Sequence, residues 1–289
     1  MNRGITGHTT VCGLIGDPVE HSMSPAMHNA AFAQLGLDYA YLPFRVRAAD
    51  LTRAIDGIRG LNLRGMNVTI PHKVNVIPLL DRIDPLAERI GAVNTIVNDG
   101  GTLTGYNTDA AGFLRALREQ GVEPGGKRVA VVGAGGAARA ITFSLGEAGA
   151  EMVILNRLEE LDWAEALAAK ISQAFHRPVA AAELTPANLA DALEKAELLV
   201  NATSLGMTPH TGASPVPPEL LRPGLVVFDA VYNPIPTRLM REARAAGART
   251  VSGLDMLVWQ GALAFEMGTG QAAPAALTKK EALRLLQGQ

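Results

Sequence analysis

The chain has little of what several protein classes need. Its 289 residues include one cysteine, Cys12, which excludes an intramolecular disulfide framework and a multi-cysteine metal site. The 26 lysines and arginines do not outnumber the 28 aspartates and glutamates. Without an excess of positive charge, the chain lacks the electrostatic attraction that holds a nucleic-acid backbone, so we expect no nucleic-acid partner.

Long apolar runs are also missing. No run of 18 apolar residues occurs, and the most apolar stretch, 128–155, is interrupted by Arg139, Glu147 and several glycines. The first 15 residues lack the continuous apolar segment of a signal peptide. Since 48% of the residues are hydrophobic and 19% charged, disorder is disfavoured. We therefore expect a soluble, cytoplasmic globular protein that has no membrane partner.

Short apolar runs alternate with helical stretches along the whole chain. Runs such as 11–15 and 129–132 are typical of buried strands, and Ser24 followed by Pro25 predicts a helix with Ser24 as its N-cap. This alternation predicts an α/β fold with largely parallel sheets. The length suggests two domains, and we place a boundary near 105–109, with a ligand-binding cleft between the domains.

A glycine-rich turn follows the predicted strand 129–132. It reads Gly133-x-Gly135-x-x-Ala138 and opens a helix, which is the dinucleotide fingerprint with alanine at its third position. Backbone N–H groups at a helix N-terminus can bind a pyrophosphate. The sequence therefore predicts a nucleotide site, whose residues are Gly133, Ala134, Gly135, Gly136, Ala137 and Ala138.

The residues after the second strand of this unit indicate which dinucleotide binds. NAD enzymes usually have a carboxylate there for the ribose hydroxyls, but this chain has Asn156 and Arg157. A neutral asparagine does not repel a 2′-phosphate, and an arginine can bind it with charge-assisted hydrogen bonds. The pair favours NADP, although Arg157 could also be an ordinary solvated surface cation.

The first half of the chain carries polar motifs next to predicted strands. HSMSP occupies 21–25, NVTIPHK 67–73, GAVNT 91–95 and NTD 107–109. Asn67 and Thr69 share one face of an extended segment, and Lys73 follows closely. Hydroxyls, amides, one lysine and one aspartate suit a small polyhydroxy acid. Each motif alone also has a structural interpretation, because Ser24 and Asp109 can cap helices and Asn-Thr pairs form turns.

Taken together, the motifs resemble the shikimate dehydrogenase family, which includes the quinate/shikimate dehydrogenases. The likeness covers nearly the whole chain and adds GAGGAARA at 133–140, NR at 156–157, NATSLGM at 201–207 and GLDMLVWQGALAF at 253–265. It implies a mixed α/β substrate domain over 1–108, completed by 254–289 folding back, and a Rossmann-like NADP domain over 109–253. The implied reaction is reversible, NADP-dependent reduction of 3-dehydroshikimate to shikimate, and dual use of quinate and of NAD is the alternative.

The resemblance also implies roles for single residues. Lys73 would be catalytic, with Asp109 as its partner. The implied substrate-binding residues are Ser22, Ser24, Asn67, Thr69, Asn94, Asp109, Tyr232 and Gln260. Beyond the glycine-rich turn, the implied cofactor-binding residues are Asn156, Arg157, Thr203, Met207 and Gly253.

The chain departs from the family pattern just after Arg157. Members that prefer NADP often continue with threonine and have a second basic residue four positions after the arginine. Here Leu158 and Leu161 stand at those positions, and Glu159 and Glu160 add negative charge. We therefore expect NADP to be preferred by a modest margin, with NAD used less efficiently.

No metal is expected, because the six histidines show no metal-ligand spacing. We expect His21 and His72 to flank the site. A nucleotide-sensing module without chemistry would have lost the Lys73 and Asp109 pair, which is present. An enzyme like methylene-tetrahydrofolate dehydrogenase, another two-domain α/β protein with a lysine, is a further alternative, and the SMSP and NTD motifs favour the shikimate dehydrogenase interpretation over it. The sequence leaves both a monomer and a homodimer open.

Overall fold

The structure is a computed structural model that describes residues 4–287. The chain forms two compact units. The first runs through Asp109 and resumes at Val258, and the second is Ala110–Leu257. The chain thus passes from one unit to the other twice, and each unit has its own sheet.

The first unit is built on a mixed six-stranded sheet. Its strands lie in the order β2-β1-β3-β5-β6-β4, with β3–β5 and β5–β6 antiparallel and the other pairs parallel. The strands are β1 (Thr10–Gly16), β2 (Tyr39–Arg45), β3 (Gly65–Val68), β4 (Arg82–Ile83), β5 (Thr95–Asp99) and β6 (Thr102–Tyr106). The helices are α1 (Ser24–Leu35), α2 (Leu51–Gly60), α3 (Pro85–Ile90) and, after the second unit, most of α9 (Gly253–Thr269) and α10 (Ala275–Gln287).

Apolar side chains cover both faces of this sheet. On one face α2 contributes Leu51, Ile55 and Ile58, whose spacing of three and four residues places them on one side of the helix. On the other face Phe32 of α1 and Phe265 of α9 pack together, with ring centroids 5.1 Å apart. Lys73, Asn94 and Asp109 lie in segments that flank the strands and belong to neither of these two apolar clusters.

His28 of α1 lies inside the second layer, where it stacks on Tyr41 at a centroid distance of 4.3 Å. Burial lowers the pKa of His28 from 6.5 to about 4. The unfolded chain therefore takes up a proton at higher pH than the folded chain does. Stability attributable to this group is present above pH 6.5 and is lost as the pH falls toward 4.

We expect His28→Phe to remove this pH dependence. The wild type should lose about 3 kcal/mol of unfolding free energy through His28 between pH 6.5 and 4, by the rule of 1.36 kcal/mol per pKa unit. Urea unfolding at both pH values measures the difference. His8→Gln changes an exposed histidine and should keep the wild-type slope. An unchanged slope in His28→Phe would contradict the assignment.

The second unit has a six-stranded sheet in which all pairs are parallel. Its strands are β7 (Arg128–Val132), β8 (Glu151–Asn156), β9 (Ala180–Glu183), β10 (Leu198–Asn201), β11 (Val226–Asp229) and β12 (Arg249–Ser252). Its helices are α4 (Asp109–Glu119), which carries the first crossing, α5 (Gly136–Glu147), α6 (Leu161–Phe175), α7 (Pro186–Lys195) and α8 (Arg238–Ala245). The helices α5, α6 and α7 begin shortly after β7, β8 and β9, whereas a longer loop separates α8 from β11.

The strand order of the second sheet is β12-β11-β10-β7-β8-β9. This is the doubly wound order of Rossmann folds, in which the direction of winding reverses between the first and fourth strands, here β7 and β10. Ligands of such sheets bind outside the carboxyl ends of the strands at this switch point. The α/β expectation with a Rossmann-like unit is confirmed.

One local expectation was wrong. Ser24 is the first helical residue of α1 and not its N-cap, since Met23 holds that position without a side-chain cap. The Ser24 N–H donates to Ser22 Oγ at 3.3 Å. The ring of His72 is entirely buried, and its Nε2 donates to the Val46 carbonyl at 2.7 Å; the expectation that His72 flanks the site stays a prediction.

Residues 4–287 contain neither a helix suited to cross a membrane nor a cluster of metal-binding side chains. No helix in that range combines the length and the apolar character needed to cross a membrane. In the same range, no three histidine, cysteine, aspartate or glutamate side chains come together in a way that could hold a metal ion.

Candidate active site

A lysine that follows β3 and an aspartate that follows β6 form an ion pair in the first unit. Lys73 Nζ lies 2.5 Å from Asp109 Oδ2, and the two side chains are 15% and 5% exposed. Most surface ion pairs contribute little because solvent screens them. This pair is largely shielded from solvent, yet the lysine remains accessible enough to meet a small molecule.

Asn94 holds the other oxygen of Asp109. Its Nδ2 donates to Asp109 Oδ1 at 2.9 Å and lies 3.2 Å from Gln260 Oε1. Its Oδ1 accepts from the Thr108 N–H at 2.8 Å. Because both ends of this amide are used, its orientation is fixed, and it leaves the Asp109 carboxylate oriented toward Lys73.

Backbone hydrogen bonds bring these residues together from three segments. The Val93 N–H donates to the Lys73 carbonyl at 2.8 Å, and the Asn94 N–H donates to the Tyr106 carbonyl at 3.0 Å. The Asp109 N–H donates to Asn107 Oδ1 at 3.0 Å. The arrangement thus depends on the antiparallel pairing of β5 and β6, which places the GAVNT and NTD motifs side by side.

Asn67 contacts this network from β3. Its Nδ2 donates to Thr95 Oγ1 at 3.1 Å, and its Oδ1 accepts from the Tyr41 hydroxyl at 2.7 Å. Tyr41, Thr95 and Thr108 are therefore members of the network to which the sequence had assigned no role. The two threonines lie within the GAVNT and NTD motifs, so the sequence could have indicated them. Tyr41 lies outside these motifs, and no local pattern predicts its contact with Asn67.

Thr69, Ser22 and Ser24 are half-buried residues near the ends of the central strands. The Thr69 N–H donates to the Ile15 carbonyl at 3.0 Å, which ties the NVTIPHK segment to β1. Ser22 and Ser24 contact each other at the start of α1. The hydrogen bonds described here join Asn67 and Gln260 to the Lys73 network, whereas the two serines stand apart from it.

The glycine-rich turn of the second unit has the shape that a dinucleotide requires. Gly133 has a φ of +106°, and a Cβ there would lie 2.9 Å from Thr203 Cγ2, so only glycine fits. A Cβ on Gly135 would meet no atom of residues 4–287 within 4 Å. Gly135 is the N-cap of α5, so open space lies beside the N–H groups of a helix start, which fits a pyrophosphate.

Asn156 is the last residue of β8, and Arg157 follows it directly. Asn156 is buried, and its Nδ2 donates to the Glu160 carbonyl at 2.7 Å. The exposed Arg157 guanidinium forms an ion pair with the Glu160 carboxylate. That hydrogen bond raises the pKa of Arg157 and lowers the pKa of Glu160. A 2′-phosphate would therefore compete with Glu160 for the guanidinium.

The remaining residues predicted for the second unit follow its strands β10, β11 and β12. Thr203 and Met207 lie after β10, and Tyr232 after β11. Gly253 opens α9, and a Cβ there would lie 2.4 Å from the Ala230 carbonyl oxygen. That close approach explains glycine at this position by packing alone.

Two family models match parts of the chain that lie almost entirely in the first unit. Residues 14–96 match the model of the shikimate dehydrogenase substrate binding domain. Residues 253–283 match the model of the shikimate 5′-dehydrogenase C-terminal domain. A shikimate dehydrogenase (NADP(+)) of Moorella thermoacetica is 48% identical over 274 residues, which cover 94% of this chain and 92% of that protein.

Solved structures are similar over the same extent. A shikimate dehydrogenase crystallised with NADP+ is 41% identical, with a TM-score of 0.92 and 98% of both chains covered. Shikimate 5-dehydrogenase from Thermus thermophilus, in complex with NADP(H) and shikimate, is 40% identical, with a TM-score of 0.85, and the match covers 96% of this chain and 99% of that one. Fold, motifs and identity over nearly the full length agree, and the chain belongs to the shikimate dehydrogenase family.

Proposed function

We propose that the protein catalyses the reversible, NADP-dependent reduction of 3-dehydroshikimate to shikimate. The observation that carries this proposal is the shielded Lys73–Asp109 pair, fixed by Asn94, in the unit that matches the substrate-binding domain of the family. We assign substrate binding to the first unit and dinucleotide binding to the second.

Lys73 is the proposed acid and base. In the reducing direction the substrate carbonyl oxygen gains negative charge and needs a proton, which the Lys73 ammonium can donate. In the oxidising direction the same amine takes the hydroxyl proton. A cation beside the oxygen also stabilises the developing alkoxide.

Asp109 and its neighbours position Lys73 and the substrate. The Asp109 carboxylate holds Lys73 Nζ at 2.5 Å, while the Asn94 amide keeps its other oxygen in place. We propose that Asp109, Asn94, Thr69 and Gln260 contact ring hydroxyls. Asn67 Oδ1 already accepts one hydrogen bond from Tyr41, and its second lone pair remains for a substrate hydroxyl.

The other substrate contacts rest on the resemblance. Ser22 and Ser24 are proposed to hold the substrate carboxylate with their hydroxyls, and Tyr232 to contribute from the second unit. We infer no metal in this chemistry, since a lysine supplies the proton and the charge.

The second unit would hold the cofactor. NADP, when bound, supplies or accepts the hydride. Gly133 to Ala138 would receive the pyrophosphate at the start of α5, and Asn156 and Arg157 would meet the adenosine ribose and its 2′-phosphate. Thr203, Met207 and Gly253 complete the proposed set. NAD lacks the phosphate, so its use is expected to be less efficient.

The proposal is tested by supplying 3-dehydroshikimate and NADPH to the purified protein. We expect NADPH consumption at 340 nm, and mass spectrometry should identify shikimate as the product. Omission of 3-dehydroshikimate is the control. Consumption of NADPH without formation of shikimate would contradict the proposed reaction.

Shikimate is expected to be preferred over quinate. Quinate adds a hydroxyl at the carbon that bears the carboxylate and lacks the ring double bond, so its carboxylate points differently from the planar arrangement. Pockets reject an added hydroxyl only weakly, by roughly 10²-fold, so some quinate oxidation is compatible with the proposal. The comparison of kcat/KM for the two substrates checks this ranking, which a higher value for quinate would reverse.

The proposed partner is thus a small molecule. A nucleic-acid partner is not expected from a chain of net charge −2. We propose the cytoplasm as its compartment. All residues assigned here come from one chain, so the chemistry is compatible with either a monomer or a homodimer.

A further inference from the structure

We propose that Asp229 is a positioning residue for cofactor binding, which it serves by holding the loop after β10 in one arrangement. This inference rests on the proposed function only in assigning the dinucleotide to the second unit. Asp229 itself need not touch the cofactor, because its effect passes through Asn201 and Thr203.

Asp229 is a fully buried carboxylate at the carboxyl end of β11. It lies beside Asn201, the last residue of β10, with which it pairs in the sheet register. Its Oδ1 accepts from Asn201 Nδ2 at 2.9 Å and from the Val231 N–H at 3.1 Å. Its Oδ2 accepts from Thr237 Oγ1 at 2.6 Å. One side chain therefore connects three separate backbone segments.

Asn201 connects Asp229 to the loop after β10 by hydrogen bonds. Its Oδ1 accepts from both Thr203 Oγ1 at 2.7 Å and the Thr203 N–H at 3.1 Å. Thr203 Oγ1 in turn accepts from the Leu205 N–H at 3.1 Å. The methyl group of Thr203 occupies the space that a Cβ on Gly133 would need.

These contacts lie at the switch point of the sheet. β10 and β7 are neighbours there, and Asn201 pairs with Val132, the residue before Gly133. A displacement of the loop after β10 would therefore also displace the glycine-rich turn that we assign to the pyrophosphate. The Tyr232 segment is attached to the same carboxylate through Val231.

Stability alone is a poor reason for a carboxylate at this place. Burial raises the pKa of Asp229, which means that the surroundings disfavour its charged form. What an apolar residue cannot do is accept hydrogen bonds from Asn201, Val231 and Thr237 at once.

The test compares cofactor affinity with thermal stability. We expect Asp229→Ala to weaken NADPH binding about tenfold, because the Asn201 amide and the Val231 N–H lose their acceptor. Fluorescence titration with NADPH measures this without substrate. Asp229→Asn should recover most of the affinity, since an amide oxygen can still accept from Asn201 when its NH₂ group faces Thr237.

Thr237→Val is the matched control. It removes one hydrogen bond to Asp229 and the N-cap of α8, so it should lower Tm but leave the NADPH dissociation constant within about twofold. Calorimetry should show unchanged shikimate binding in Asn201→Leu, which leaves the Asp229 bond to the Val231 N–H in place. Asn201→Leu, which keeps the carboxylate, should reproduce the affinity loss and provides the test if Asp229→Ala does not fold.

Wild-type NADPH affinity in Asp229→Ala or Asn201→Leu would overturn the proposal. An equal affinity loss in Thr237→Val would also overturn it, because the effect would then be a general loss of structure. The reaction assigned above is tested separately by the wild-type assay with 3-dehydroshikimate.

Discussion

Replacing Lys73 by alanine is expected to lower kcat for shikimate oxidation by roughly 10²–10⁴-fold, the usual contribution of a positioned acid or base. The side chain is 15% exposed and bound to Asp109, which holds its ammonium group in one place. KM for shikimate should change less than kcat, because the proton is moved in the transition state. Initial rates of NADPH formation measure both parameters.

Lys127→Ala is a matched control for this variant. Lys127 also pairs with a carboxylate, Glu197 at 3.0 Å, but has no assigned role, so the wild-type rate should remain. Asp109→Ala should be impaired about as much as Lys73→Ala, and the double variant should lose little more, since the two residues act as a unit. A near-wild-type kcat in Lys73→Ala would remove the lysine from the mechanism.

Replacing Arg157 by alanine is expected to raise KM for NADP far more than KM for NAD. A hydrogen bond between charged groups corresponds to roughly 10–150-fold in affinity. The effect should fall near the low end, about tenfold, for two structural reasons. Glu160 already occupies the guanidinium, and Leu161 stands where a second basic residue is common in the family.

Arg53→Ala is a suitable control for the loss of an exposed arginine. Arg53 pairs with Asp50 three residues before it, just as Arg157 pairs with Glu160 three residues after it, but it lies in the first unit. It should change neither KM. The assignment of Arg157 fails if its replacement leaves both values unchanged, or if the wild type uses NAD with an equal or higher kcat/KM.

Much of the fold could be predicted because its signals are local. The glycine-rich turn, the strand before it and the helix after it lie within about 20 residues, and the structure places them in the expected order around Gly133. The alternation of strands and helices likewise indicated the parallel sheet of the second unit. For Lys73 and Asp109, residue patterns alone left structural interpretations open, and the ordered motifs of the family gave them a role.

Other features depend on contacts that no local pattern records. Ser24 was expected as an N-cap because serine favours that position, but Met23 holds it. Asp229 and Asn201 are 28 residues apart, so only the register of β10 and β11 brings them together.

The most direct test of the account is the initial rate of absorbance increase at 340 nm when the purified wild type receives shikimate and NADP+. The account predicts shikimate-dependent formation of NADPH that saturates with both substrates and is slower by at least roughly 10²-fold in Lys73→Ala. A folded wild-type protein that forms no NADPH from shikimate, or forms it equally fast without Lys73, would contradict it.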